Sequence, residues 1–194
     1  MTRRPATMAT PPRTAPLDEG AIAAVRRSPI VDPGGVTFVY HGAADAVNLR
    51  CWIHGLPASQ PFERVGDGDL WVLRVELPEN SRIEYKFEVV RDGQEEWILD
   101  PLNPLQAADP FGANSVAQGM GYVRPEWTVA DPAARAGIVD EIAVPSQALG
   151  DDRHVAVYVP ARFRRNRRYP LLVVHDGYDY LRYANLQAVL DNLI

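Results

Sequence analysis

The sequence predicts a chain in two parts, an all-β sandwich followed by the opening of a unit that mixes strands with a helix. Three observations carry this reading. From Val36 to about Tyr122 the chain runs in short alternating segments broken by Gly, Pro and Asp, the pattern of a sandwich. Pro125 to Arg135 then holds two prolines and little periodicity, as a linker does. Beyond Gly137 come three further strand-like runs, and Leu186, Val189, Leu190 and Leu193 recur at helical spacing. The expected divisions are a disordered tail over 1–17, a short helix and entry over 18–34, the sandwich over 35–123, a linker over 124–136 and the second unit over 137–194.

The tail M-T-R-R-P-A-T-M-A-T-P-P-R carries arginines with no apolar core behind them, so it does not read as an export signal. The next stretch, L-D-E-G-A-I-A-A-V-R-R-S-P, places acids at its start, Arg26 and Arg27 at its end and Pro29 as a stop, which predicts a short helix. Val36 to Tyr40 reads as the first sandwich strand. In the second, Val47, Leu49, Cys51 and Ile53 form the apolar face, opposite Asn48, Arg50, Trp52 and His54. Trp71, Leu73, Val75 and Leu77 share the apolar face of the third. In the fourth, Ile83, Tyr85, Phe87 and Val89 alternate with Arg82, Glu84, Lys86 and Glu88. Arg91-Asp92-Gly93-Gln94 predicts a hairpin turn into Trp97-Ile98-Leu99. In the second unit, strands are expected at Ile138 to Val144, Arg153 to Val159 and Pro170 to His175. The last is a continuous apolar run of the kind buried on both faces of a parallel sheet.

Composition narrows the function. A net charge of -5 and a pI near 5.4 argue against nucleic acid as a partner, because no basic stripe is present to neutralise phosphates. The one basic cluster, Arg162, Arg164, Arg165, Arg167 and Arg168, falls between two expected strands and reads as a solvated loop. Cys51 is the single cysteine, which excludes an internal disulfide and fits a reducing compartment. Its apolar neighbours in alternation point to a packing role. No stretch is long and apolar enough to span a bilayer, and the expected location is cytoplasmic.

The segment Glu84-Tyr85-Lys86-Phe87, Asp92-Gly93, Trp97, Asp100-Pro101, Asn103-Pro104 and Asp109-Pro110-Phe111-Gly112-Ala113-Asn114-Ser115 resembles the glycogen-binding type of carbohydrate-binding module. That resemblance implies an immunoglobulin-like, early-set sandwich. It also implies sugar contacts at Lys86, Trp97 and Asn114, where an indole stacks on a pyranose while an amine and an amide reach its hydroxyls. The family's F-N-x-W turn is missing, its place taken by Ile53-His54-Gly55-Leu56-Pro57-Ala58-Ser59. No second stacking ring is expected there, which favours a purely architectural sandwich. Trp52 is a candidate for a contact surface, with substrate or with the second unit.

From Gly137 onward, R-H-V-A-V-Y-V-P at Arg153 to Pro160, Y-P-L-L-V-V-H-D-G at Tyr169 to Gly177 and the terminal L-D-N-L-I resemble the start of the enterochelin-esterase-like, esterase-D-related hydrolases. The resemblance implies the first strands and helix of an incomplete α/β-hydrolase domain, an enzyme that cleaves carboxylic esters with a Ser-His-Asp/Glu triad, and a small-molecule ester as substrate of the full-length parent. His175, Asp176, Gly177 and Tyr178 are then oxyanion-loop candidates, with the N–H of Gly177 or Tyr178 as donor. No G-x-S-x-G occurs, and none of Ser28, Ser59, Ser81, Ser115 and Ser146 lies on an expected strand-to-helix elbow. The triad is therefore expected to be absent and the chain inactive by itself, with no cofactor and no metal. The unpartnered edge of the apolar third strand is expected to dock the missing hydrolase half or to self-associate.

Overall fold

The computed structural model describes residues 25–53 and 57–194. The tail over 1–17, most of the expected N-terminal helix, and His54 lie outside the described residues. Residues 25–29 form no helix, consistent with the bias of Pro29 against helix in the residue before it. The described residues divide into two compact units, 25–106 with 115–121, and 107–114 with 122–194.

The first unit is built on two antiparallel sheets. One holds β1 (Ile30–Asp32), β2 (Gly35–His41), β5 (Glu63–Arg64) and β6 (Leu70–Val75) in the order β1-β2-β6-β5. The other contains β3 (Ala46–Cys51), β4 (Ser59–Pro61), β7 (Arg82–Arg91), β8 (Gln94–Ile98), β9 (Gln106–Asp109) and β10 (Gly112–Gln118). Its order is β4-β3-β7-β10-β9, with β8 also on β7. The β9–β10 hairpin crosses the division between the units.

Alternation puts one face of each sheet into a common core. Val36, Phe38 and Tyr40 of β2 oppose Val75, Leu73 and Trp71 of β6. Val47, Leu49 and Cys51 of β3 oppose Val89, Phe87 and Tyr85 of β7. These side chains form one cluster, and its centre is aromatic. Phe38 meets Tyr85 edge-on at 4.7 Å, and Phe62 meets Phe87 at 5.1 Å. Such pairs add to simple area burial. Cys51 is fully buried, as its alternation predicts.

The turn between β7 and β8 forms where Asp92-Gly93 places it. Both residues have positive φ, 50° and 73°, the pair of left-handed conformations that a tight hairpin matched to strand twist requires. Gly35 is a second position where the backbone demands glycine. Its φ is 143°, and a Cβ there would collide with the Val75 carbonyl oxygen on the neighbouring strand.

The second unit contains a hairpin of β11 (Ile138–Ser146) and β12 (Asp151–Val159), paired from Ile138↔Val159 to Ser146↔Asp151. Two short helices follow, α1 (Gly177–Tyr183) and α2 (Leu186–Leu193), separated by Ala184 and by Asn185 at φ 53°. The third expected strand is corrected here. Pro170 to His175 forms no strand, and Leu171, Leu172 and Val173 are 87, 70 and 70% exposed. A strand exists through its ladder; β11 and β12 pair with each other, and no described strand pairs with 170–174. The arginines of 162–168 lie in an exposed turn region, as expected of a solvated loop.

Helix α2 is tied down by polar contacts within its own unit. Asp191 Oδ1 accepts from the Tyr158 hydroxyl at 2.8 Å and from the Gly137 N–H at 2.7 Å. Burial, then the bond to the Asp191 carboxylate, pushes the Tyr158 phenol up to about 12. Asn192 Nδ2 donates to the carbonyls of Trp127 and Val129. Gly137 is there because Tyr158 leaves no room for a side chain: an added Cβ would lie 2.6 Å from its ring.

Candidate functional site

Two places hold the residues singled out from the sequence. The first is the outer face of the β3–β7–β8 sheet. Asn48 and Arg50 oppose Glu88 and Lys86 across the β3–β7 ladder, and Trp97 opposes Glu88 across β7–β8. Period-two alternation sends all of them away from the core. Trp52 follows the end of β3 and is 77% exposed. Its ring centroid lies 6.2 Å from that of Trp97, with the planes inclined by 50°. This corrects the expectation that no second ring would be present. The second ring comes from Trp52, at the strand end itself.

The ring of Trp97 is held from two sides. Its Nε1–H donates to Glu88 Oε2 at 3.1 Å, and the Arg50 guanidinium carbon lies 4.9 Å from its ring centroid, within cation–π range. Glu88 is 4% exposed, although it belongs to the outward row of β7. Its carboxylate is satisfied by Asn48 Nδ2 at 2.9 Å, by Arg50 Nε at 2.6 Å and Nη2 at 2.5 Å, and by Trp97. Lys86 is half-buried beside Arg50. Asn114 Nδ2 donates to Asp109 Oδ2 at 2.8 Å, and both residues group with the second unit.

The Asp-Pro-x-Asn-Pro part of the module-like motif has an architectural role. Asp100 and Asn103 are 2 and 5% exposed. The Tyr85 hydroxyl donates to Asp100 Oδ2 at 2.7 Å and accepts from Asn103 Nδ2 at 2.9 Å. Asn103 Nδ2 also reaches the Val116 carbonyl, and the Asp100 N–H donates to Ser115 Oγ. Burial raises both the Tyr85 phenol and the Asp100 carboxyl above their ordinary values. Tyr85→Phe removes the hydroxyl while leaving its buried partners in place. The expected loss is about 1–3 kcal/mol of unfolding free energy, the desolvation cost of a stranded polar group, read from a shifted urea midpoint with unchanged slope.

The second place is the segment before α1. Asp176 takes a left-handed conformation, φ 53° and ψ 33°, and the helix begins at Gly177. A helix start leaves its first N–H groups without intrahelical acceptors, and Gly177 and Tyr178 occupy those positions. His175 and Asp176 are exposed. The Tyr178 hydroxyl donates to Glu141 Oε2 at 2.8 Å, and His154 Nδ1 lies 2.9 Å from Glu141 Oε1. Those contacts, the Tyr178 bond first, hold the Glu141 carboxyl below its usual range. Sequence reasoning missed Glu88 and Glu141 as organising groups. Alternation placed Glu88 on the outward face, but the cross-strand register that joins it to Arg50 and Trp97 is a tertiary property.

Among the described residues, no helix is long and apolar enough to cross a membrane. The family model described as Putative esterase matches residues 146–194. A search of curated proteins finds no match. Among solved structures, the ferric enterobactin esterase of Salmonella typhimurium aligns with a TM-score of 0.60 at 18% identity, covering 91% of this chain and 54% of that one. The enterobactin esterase of Shigella flexneri, solved in the presence of enterobactin, aligns with a TM-score of 0.55 at 19% identity, covering 91% and 54%. The chain thus spans about half the length of these structures and shares their fold over that half, and the match to the Putative esterase model lies within it, at residues 146–194.

Proposed function

We propose that this chain supplies the N-terminal, immunoglobulin-like sandwich and the opening of the α/β-hydrolase domain of a cytoplasmic serine carboxylic-ester hydrolase, of the siderophore- or acyl-ester-cleaving type. The observation that carries this is the match of residues 146–194 to an esterase family model. That segment holds all of β12, the apolar run 170–174, the turn into α1 and both helices. The chain-length likeness to two enterobactin esterase folds supports the same reading. In the complete domain, 170–174 becomes a sheet strand and the Gly177 and Tyr178 N–H groups face a developing oxyanion. The divisions at 35–123, 124–136 and 137–194 belong to this proposal, as does a small-molecule ester as substrate.

On this reading none of the five serines of the chain serves that loop as a nucleophile. Ser28 and Ser115 are buried in the sandwich. Ser59 is in β4 and Ser146 ends β11, while the Ser81 hydroxyl donates to the Pro78 carbonyl in a turn. None stands on a strand-to-helix elbow backed by a His. A fluorophosphonate probe tests the assignment. A chain carried past Ile194 into a G-x-S-x-G segment is expected to be labelled at that serine, and the 194-residue chain is expected to stay unlabelled. Labelling at one of the serines above, or no labelling of the longer chain, overturns the proposal.

The Trp52–Trp97 pair favours a second reading for the sandwich, a glycan-stacking surface. Two adjacent exposed indoles inclined to one another offer successive faces to a curved oligosaccharide, and Lys86 lies on the same outward face. Titration with maltoheptaose, followed by tryptophan emission, decides it, and a flat response removes this option.

A further inference from the structure

We propose that Glu88 is the positioning residue of the Trp52–Trp97 surface, fixing the Trp97 indole and the Arg50 guanidinium without itself meeting a ligand. The inference rests on the second reading above for what the surface binds. A carboxylate withdrawn from water on the outward row of a sheet strand is costly unless every oxygen is satisfied. Glu88 is 4% exposed, and it accepts from Asn48, Arg50 and Trp97 together. Replacing a buried ion pair by apolar side chains is often neutral or stabilising for a fold, so fold stability alone does not account for this arrangement. What the carboxylate does achieve is geometric. It fixes the edge of Trp97 by the indole N–H, and it fixes the guanidinium that lies against the same ring.

Trp52 has no hydrogen bond of this kind among the described residues. The surface therefore pairs a ring anchored through its N–H with an exposed ring that lacks such an anchor among the described residues. There is a chemical consequence for any occupant. The Trp97 N–H and two of the five Arg50 N–H donors are already committed to Glu88, so Trp97 itself offers a ligand ring area rather than its N–H. A saccharide held there is gripped through its C–H faces, and Lys86 supplies polar contact from the same row.

The test uses the 194-residue chain, with its four tryptophan indole N–H signals assigned by NMR through Trp→Phe variants. In Glu88→Leu the Trp97 N–H is expected to exchange roughly tenfold faster or more, as for loss of a hydrogen bond to a charged acceptor. Glu88→Gln keeps an acceptor and is expected to fall between wild type and Glu88→Leu. The double variant Arg50→Met/Glu88→Leu guards against a purely structural role: it is expected to keep the wild-type melting midpoint and still lose Trp97 protection. Maltoheptaose affinity is expected to fall by about tenfold in Glu88→Leu and in the double variant. Unchanged Trp97 exchange in Glu88→Leu overturns the proposal, and so does wild-type sugar affinity in either variant. If wild type itself binds no maltoheptaose, the glycan reading fails, and Trp97 exchange alone decides the role of Glu88.

Discussion

Phe87→Ala is expected to cost the first unit about 3–5 kcal/mol, a large share of what a domain of this size has to lose. Phe87 is fully buried at the middle of β7, where its ring meets four others. Phe62 lies at 5.1 Å, Tyr85 at 5.6 Å, Tyr40 at 6.1 Å and Phe38 at 6.4 Å. Those rings come from both sheets, so truncation opens a cavity at the contact that joins them. The neighbours are held by strand ladders on either side and cannot collapse into the gap. Chemical denaturation read by far-ultraviolet circular dichroism checks this. A loss below about 1 kcal/mol would mean that the packing centre has been misplaced.

Leu172→Asp is expected to act with opposite signs in two contexts. In the 194-residue chain Leu172 is 70% exposed, between Leu171 at 87% and Val173 at 70%, so a charge there removes no packing. It breaks an apolar run that is prone to association, and the variant is expected to stay monomeric at higher concentration with its melting midpoint unchanged. On the proposed function, a longer chain that completes the hydrolase sheet is expected to take the same position into a core strand. Burying an unpaired carboxylate there is expected to abolish folding of the second domain and to lower ester hydrolysis by several orders of magnitude. Size-exclusion chromatography checks the first outcome and soluble yield with activity the second. Loss of stability in the short chain, or full activity in the long one, would place residues 170–174 elsewhere.

The sandwich was legible because its strands are half-buried. Tyr85, Phe87 and Val89 alternate with polar residues, and a period of two leaves one arrangement that buries them. Asp92-Gly93 marked its turn for an equally local reason. The run Leu171 to Val174 shows the limit of such reasoning. Its composition is that of a strand buried on both faces, yet a ladder needs partners, and composition does not say whether they are in the chain. The candidate sites divide in the same way. Trp52 and Trp97 could be singled out one at a time, but their 6.2 Å approach depends on β3 and β8 both flanking β7. Asp100 and Asn103 carried a motif-like signal that the structure assigns to a buried network with Tyr85.

The most direct test of the central claim is hydrolysis of p-nitrophenyl butyrate, measured side by side for the 194-residue chain and for a chain extended through a downstream G-x-S-x-G segment. The account predicts turnover above the buffer rate for the extended chain alone, abolished by Ser→Ala in that motif. Turnover by the 194-residue chain, or an inert extended chain that is folded, would contradict it.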